Sequence, residues 1–371
     1  MEKSVSRIFL IDLESVSTRY TVEWKWHVPE KLRNLEHEVE VISGPEDIPR
    51  ATTPGAFLNF GGTNIYKSRQ VEQISRLFCE GRISSGDHFI FTDAWHSGII
   101  NLKYMSELLQ IPVKIHALWH AGSYDPQDFL GRLIGNKGWI RHAEKSFFYA
   151  INYNYFATNF HIELFVRNLL NDDNILENAW LEDDVDEALS GNNPKIIRTG
   201  WPMEYMDAIL APYKGTPKRD LILFPHRIAP EKQVEIFRDL AAHLPQYEFV
   251  VCQEQNLTKE EYHKLLAQAK IIFSANLQET LGISCYEGCV LDAIPMVPDR
   301  LSYKEMYFDV FKYASEMTEN WERYIVHRQK LCYTITQHMD NYDTRLKLIQ
   351  QQKENLSERF FTAQGLYNNL N

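Results

Sequence analysis

The chain lacks any apolar run of the roughly 20 residues that a membrane-spanning helix needs, and near its start it carries a buried-strand pattern, Ile8 to Asp12, where a leader would sit. These absences predict a soluble protein of the cytoplasm with no membrane partner. Cysteine is scarce: five, an odd number with no zinc-finger spacing, which argues against a disulfide framework and agrees with a reducing compartment. Cys285 and Cys289 share a helix face, but two ligands do not make a metal site, and they read as small buried apolar residues. Positive charge is scarce as well. A net charge of −11 excludes a surface coated for non-specific nucleic-acid binding and leaves room for a local basic groove. Much of the negative excess sits in Asp172 to Glu187, which holds no Lys or Arg and reads as a solvated face. Its Asp183-Asp184-Val185-Asp186 has the look of a metal-binding Asp-x-Asp, without a strand end to fix it.

What is present is enough apolar residue, 44% of 371, for two domains of roughly 150 to 200 residues each. The most informative stretch is Gln278 to Cys289, preceded by the apolar run Ala269 to Ala275 and followed by Ile294-Pro295-Met296-Val297-Pro298. It reads as strand, tight Thr-Leu-Gly turn, helix, strand. A helix beginning near Gly282 and Ile283 offers unpaired N–H groups and a positive dipole end to an anion, and Gly282 lets the backbone come close to it. Glu279 and Glu287 stand on either side of that helix start, with seven residues between them. Two acceptors flanking a phosphate site suit a diphosphate with a sugar at each end. The competing reading is an ordinary βαβ unit with a solvent-facing Glu287. Upstream, the strand Asp220 to Pro225 runs into His226-Arg227-Ile228-Ala229-Pro230-Glu231-Lys232 and then a helix over Gln233 to Leu244. Arg227 and Lys232 are placed to grip a diphosphate from the side opposite the backbone donors.

These segments resemble the Glu-x7-Glu and Gly-Arg-x4-Lys regions of retaining nucleotide-sugar glycosyltransferases of the GT-B fold, family 4 in particular, with His226 where the family has glycine. The resemblance is good from Pro194 to Glu305 and rests on strand order alone in the N-terminal half. It implies an α/β protein of two Rossmann-like doubly wound domains facing each other across a cleft. Residues 1–205 would form the acceptor side and 206–335 the donor side, with a linker near Tyr213 to Arg219 and a helical segment, 336–371, crossing back to the first domain. It also implies a nucleoside diphosphate sugar as donor, a UDP-sugar foremost, with no separate cofactor and no metal. By the same resemblance Arg227, Lys232 and the helix start stabilise the leaving diphosphate, Glu279 holds the sugar and Glu287 the ribose.

In the N-terminal half, strands are expected at Arg7 to Asp12, Glu38 to Ser43, Phe57 to Phe60, Asp87 to Asp93 and Val113 to Leu118, and a helix over Tyr66 to Gly81. The loop after the first strand lacks the glycines usual in GT-B enzymes, and Arg19 reads either as a side chain standing in as its anion contact or as a surface arginine. Two successive strands end in Trp-His, at Trp95-His96 and Trp119-His120, and imidazole at parallel-strand ends suits a polar pocket for sugar hydroxyls. The resemblance matches His120 to the family's donor-sugar histidine and puts Asp93, His96 and Asp125 on the acceptor side. Gly131 to Lys145 interleaves Arg132, Lys137, Arg141 and Lys145 with Trp139, followed by Phe147 and Phe148, as a phosphate track or as an amphipathic helix. As a whole this half looks like phage-encoded transferases that modify hydroxymethylated pyrimidines in DNA, which would place the protein in a host cytoplasm with DNA as partner. A saccharide or small-molecule acceptor, or a catalytically silent nucleotide- or nucleic-acid-binding GT-B module, are the other readings.

Overall fold

A computed structural model describes residues 7–16, 19–51, 58–170 and 195–370. The acidic segment 172–187, with its Asp-x-Asp, lies outside the described residues. The chain divides into two compact units, the first of Met1–Pro202 with Ala363–Asn371 and the second of Met203–Thr362.

The first unit is built on a six-stranded parallel sheet. Its strands are β1 (Arg7–Ile11), β2 (Glu38–Ile42), β3 (His88–Phe91), β4 (Lys114–Trp119), β5 (Tyr153–Phe156) and β6 (Ile196–Arg198), in the order β2-β1-β3-β4-β5-β6. All pair in parallel, β1 with β2 through Ile8 against Val39 and with β3 through Phe9 against Phe89. The central strands are covered on both faces, so their sequences, RIFLI and HFIF, are nearly continuous apolar runs. Their core includes Phe9, Phe89, Phe91, Trp119, Phe156 and Phe165. Polar groups inside the sheet pair with one another: His88 Nδ1 lies 2.9 Å from His116 Nε2, and His116 Nδ1 lies 2.9 Å from the Tyr155 hydroxyl. The last residues of the chain close this unit, with the Leu366 N–H donating to Thr199 Oγ1 at 2.9 Å.

Over the described part of the expected strand Phe57 to Phe60, residues 58–60, no strand forms. Residues 52–57 are not described, and Phe60 opens a helix, Phe60–Cys79. Asn59 is its cap, accepting the Gly62 N–H at 2.8 Å. The glycine pair serves clearance: a Cβ on Gly62 would stand 2.2 Å from the Pro49 carbonyl oxygen. The basic-aromatic stretch forms two helices, Phe129–Ile134 and Gly138–Ala150.

The second unit has a five-stranded parallel sheet of β7 (Arg219–Phe224), β8 (Glu248–Val251), β9 (Ala269–Phe273), β10 (Ile294–Pro298) and β11 (Lys312–Tyr313), in the order β11-β10-β9-β7-β8. Tyr213 to Arg219 lies within this unit, leading into β7. The helix Trp321–Asp340 runs unbroken through position 336 and, with Tyr342–Arg359, belongs to the second unit.

In both sheets the strand order reverses beside the first strand of the unit, between β1 and β3 and between β7 and β9. Crevices of ligand-binding α/β sheets open at such reversals, beyond the carboxyl ends of the strands. No described helix is long and apolar enough to cross a membrane.

Candidate active site

In the second unit the two loops at the reversal carry most of the charged residues expected from the sequence. The loop after β7 ends in a left-handed residue, Gln233, with φ 54°. That conformation costs a non-glycine residue roughly 1–2 kcal/mol, and here the side chain holds it, Nε2 donating to the carbonyls of Ala275 at 2.6 Å and Thr318 at 2.7 Å. Gln233 thus ties the end of the β7 loop to the end of β9.

Next to it, Lys232 is buried. Its ammonium donates to the Gln278 carbonyl at 2.5 Å and stands 3.4 Å from Glu279 Oε2. Arg227, half-buried, pairs with the fully buried Glu231 at 2.6 Å. Burial alone would raise the Glu279 carboxyl. Lys232 and the N–H groups of Leu281 and Gly282 outweigh it and hold the group below the usual carboxylate range. Asn276 Nδ2 adds a bond to Glu279 Oε2 at 3.2 Å.

Gly282 has φ 78° and caps the helix Ile283–Val290. Only glycine fits, since a Cβ would come within 2.8 Å of the Tyr303 ring. Ile283 is the first helical residue, and the N–H groups just before it, of Leu281 and Gly282, face Glu279. Glu287 lies on the same helix, half-buried, and accepts a hydrogen bond from the Tyr262 hydroxyl at 2.9 Å. Arg227, Lys232, Glu279, Gly282 and Ile283 are therefore gathered around two adjoining loops, and Glu287 stands on the helix they open.

Sequence reasoning passed over the groups that fix this arrangement. Arg300 reaches back from the end of β10 and donates to the carbonyls of Asn276 at 2.7 Å, Ala275 at 2.7 Å, Ser315 at 2.9 Å and Thr318 at 3.1 Å. Tyr303 bonds to Ser274 and Asn276. The available signal was an arginine two residues after a buried strand, β10, that neighbours β9 at the reversal.

The first unit holds a cavity of about 490 Å³ at the carboxyl ends of β1, β3 and β4. Arg19, Asp93 and His120 line it; His96 and Asp125 do not. The Asp93 carboxylate takes Lys67 Nζ at 3.0 Å and the Trp95 N–H at 3.0 Å. Burial raises its pKa, but Lys67, His120 and that N–H bring it down to about 2. His120 lies between the Tyr20 hydroxyl, 2.7 Å from Nδ1, and the Thr92 carbonyl, 2.6 Å from Nε2. The carbonyl only accepts, so Nε2 carries the proton and the ring is neutral; burial pushes its pKa down to about 4. Arg19 lies over the Tyr20 ring, 5.4 Å from its centroid.

His96 is occupied inside the unit. Its Nε2 lies 3.0 Å from Gln70 Oε1, its Nδ1 accepts the Gly98 N–H at 2.9 Å, and burial holds its pKa at about 3. Asp125 is buried and accepts the Gln127 N–H at 2.9 Å, a turn-forming contact. The cavity's other wall is apolar and aromatic, formed by Phe60, Phe129, Leu133, Ile134, Trp139 and Phe147. Trp139 and Leu133 are each 61% exposed. Near them Arg132, Lys137 and Arg141 face solvent, while the one acid of these two helices, Glu144, is buried under Trp95 and Ser123.

Two parallel-sheet α/β units are shared with solved structures. Sucrose-phosphate synthase from Thermosynechococcus elongatus superposes with a TM-score of 0.61 at 12% identity, over 98% of this chain and 99% of that one. The fold is GT-B. Anabaena HepE, solved with UDP and glucose, gives 0.55 at 11% identity over 98% and 99% of the two chains. The catalytic domain of starch synthase IV from Arabidopsis thaliana, bound to ADP and acarbose, gives 0.54 at 11% over 99% and 98%. No protein-family model and no curated sequence matches the chain. At these identities the likeness is one of GT-B architecture. Among the described residues no three His, Cys, Asp or Glu side chains cluster as metal ligands would.

Proposed function

We propose that the protein is a retaining, family 4-like glycosyltransferase that moves a sugar from a nucleoside diphosphate sugar to a hydroxyl. The observation that carries this is the joining of Lys232, Glu279 and the Gly282 helix start in two loops at the sheet reversal of the second unit. In this reading the helix N–H groups and Arg227 receive the diphosphate, and Lys232 with them stabilises the charge that grows on it as the glycosidic bond breaks. Glu279, kept ionised, takes hydroxyls of the transferred sugar, and Glu287 those of the ribose. UDP and ADP in the solved GT-B neighbours support a nucleotide-sugar donor, a UDP-sugar first. Departure of the diphosphate on the face where the acceptor enters lets it take the acceptor's proton and retains configuration.

For the acceptor we infer a 5-hydroxymethylpyrimidine in DNA, extruded into the cavity of the first unit. Its aromatic wall suits a base, and the exposed Arg132, Lys137 and Arg141, in or beside the helices that carry Leu133 and Trp139 of that wall, suit the phosphates of a strand. A saccharide acceptor is the second reading, favoured by the acarbose in starch synthase IV. The test is mass spectrometry of nucleosides after incubation of the protein and a panel of nucleotide sugars with DNA containing 5-hydroxymethylcytosine or 5-hydroxymethyluracil. A pentose or hexose increment on the hydroxymethyl base, lost in Glu279→Ala, is expected. Slow hydrolysis of a nucleotide sugar without transfer would refute the DNA acceptor and keep the transferase.

A further inference from the structure

His226 occupies the position where the resembled motif has glycine, and it is buried, 6% exposed, at the end of β7. One side of its ring is hydrogen-bonded to the Phe273 carbonyl. A carbonyl only accepts, so the proton of the neutral ring is on that side and Nε2 carries a lone pair. Among the described residues Nε2 has no partner. The same holds for Asn276 Oδ1, whose amide is oriented by Nδ2 donating to the Glu279 carboxylate and to Tyr303. Buried acceptors without donors are rare, and each calls for an explanation. Here one of them, Asn276, is bonded to Glu279, itself an acceptor, and both Glu279 and Lys232 act electrostatically on the other, His226.

A ligand that satisfies this cluster must bring donors. Phosphate oxygens would set lone pair against lone pair, whereas sugar hydroxyls bring O–H groups. We propose that His226 Nε2 accepts a hydrogen bond from a hydroxyl of the transferred sugar, beside Asn276 Oδ1 and Glu279, and so selects which sugar the enzyme takes. The proposal rests on the glycosyltransferase reading above. His226 stays neutral above about pH 5, because burial and Lys232 hold its pKa at about 3, so the lone pair is available at working pH.

The test compares kcat/KM for the accepted nucleotide sugar and for its singly deoxygenated analogues, in the native protein, His226→Phe and His226→Gln. Phe keeps a ring against Phe224 and removes the acceptor; Gln keeps an acceptor. The native protein is expected to reject one analogue by about 100-fold, the upper part of what a single buried acceptor left without its donor costs. In His226→Phe that preference collapses to about threefold, and in His226→Gln it is partly kept. UDP alone binds all three proteins within about twofold. Equal losses on parent and analogue in His226→Phe would make the residue structural and overturn the proposal. A tenfold loss of UDP affinity with the preference intact would make it a phosphate contact and overturn it equally. Failure of every nucleotide sugar to bind or turn over would sink the transferase reading as well, an outcome separate from both.

Discussion

Acid should unfold the first unit at a pH where most proteins of this size are still stable, because the unit buries neutral histidines. His96, His120 and His161 are held at about 3, 4 and 3 by burial. A folded-state value below the ordinary 6.5 means that the unfolded chain binds more protons, so this contribution is fully present above pH 6.5 and is lost as the pH falls toward 4. Each group costs roughly 1.4 kcal/mol per pH unit in that window, hence about 2 kcal/mol at pH 5 and about 6 kcal/mol for the three. That is comparable with the whole stability of a typical domain, about 5–15 kcal/mol. The paired His88 and His116, also lowered by burial, act with the same sign. Asp12 and Glu144, raised by burial, act against it. The assay is urea unfolding at pH 7, 6 and 5 followed by tryptophan fluorescence, since all eight tryptophans except Trp321 fall in residues 1–202. His161→Gln should flatten the pH dependence by about one proton's slope. A midpoint that moves by less than 1 kcal/mol-equivalent, taken as about 0.5 M urea, between pH 7 and pH 5 would refute the reasoning.

Three further outcomes follow from the second unit. Lys232→Met strands the Glu279 carboxylate and should destabilise the unit by about 3–5 kcal/mol; adding Glu279→Gln should recover part of it in urea melts while activity stays about 100-fold down or lower. Gly282→Ala puts a Cβ 2.8 Å from the Tyr303 ring at φ 78°, so a loss of about 2 kcal/mol with a raised donor KM is expected; a native melting temperature and KM would contradict it. Arg300→Lys cannot serve four carbonyls at once and should cost about 3 kcal/mol in a thermal melt, with donor binding weakened because the end of β9 is loosened.

What the sequence made legible was what local pattern decides. Ile294–Pro298 is a strand at the expected residues, and the helix after Gly282 begins where the glycine and the apolar spacing predict. The expected third strand failed because Asn59 acts through its side chain on Gly62, and the need for glycine there arises from Pro49, a residue distant in sequence. The two Trp-His strand ends read alike in sequence and differ in three dimensions. His120 meets Tyr20 at the cavity, while His96 meets Gln70 from the helix Phe60–Cys79. Partners of this kind carry no short-range signal. Arg300, Gln233 and Tyr262 escaped notice for the same reason, since each acts across 15 or more residues of sequence.

The closing of the first unit by Ala363–Asn371 makes the second unit an insertion in the order of synthesis. A ribosome releases the first unit's residues up to Pro202, then all of Met203–Thr362, before Leu366 and Tyr367 arrive to bury themselves in the first unit. The second unit is complete in sequence first and can fold while the other waits with an open seam. Trimming the chain at 362 would therefore injure the half that was made earliest and spare the half that was made last.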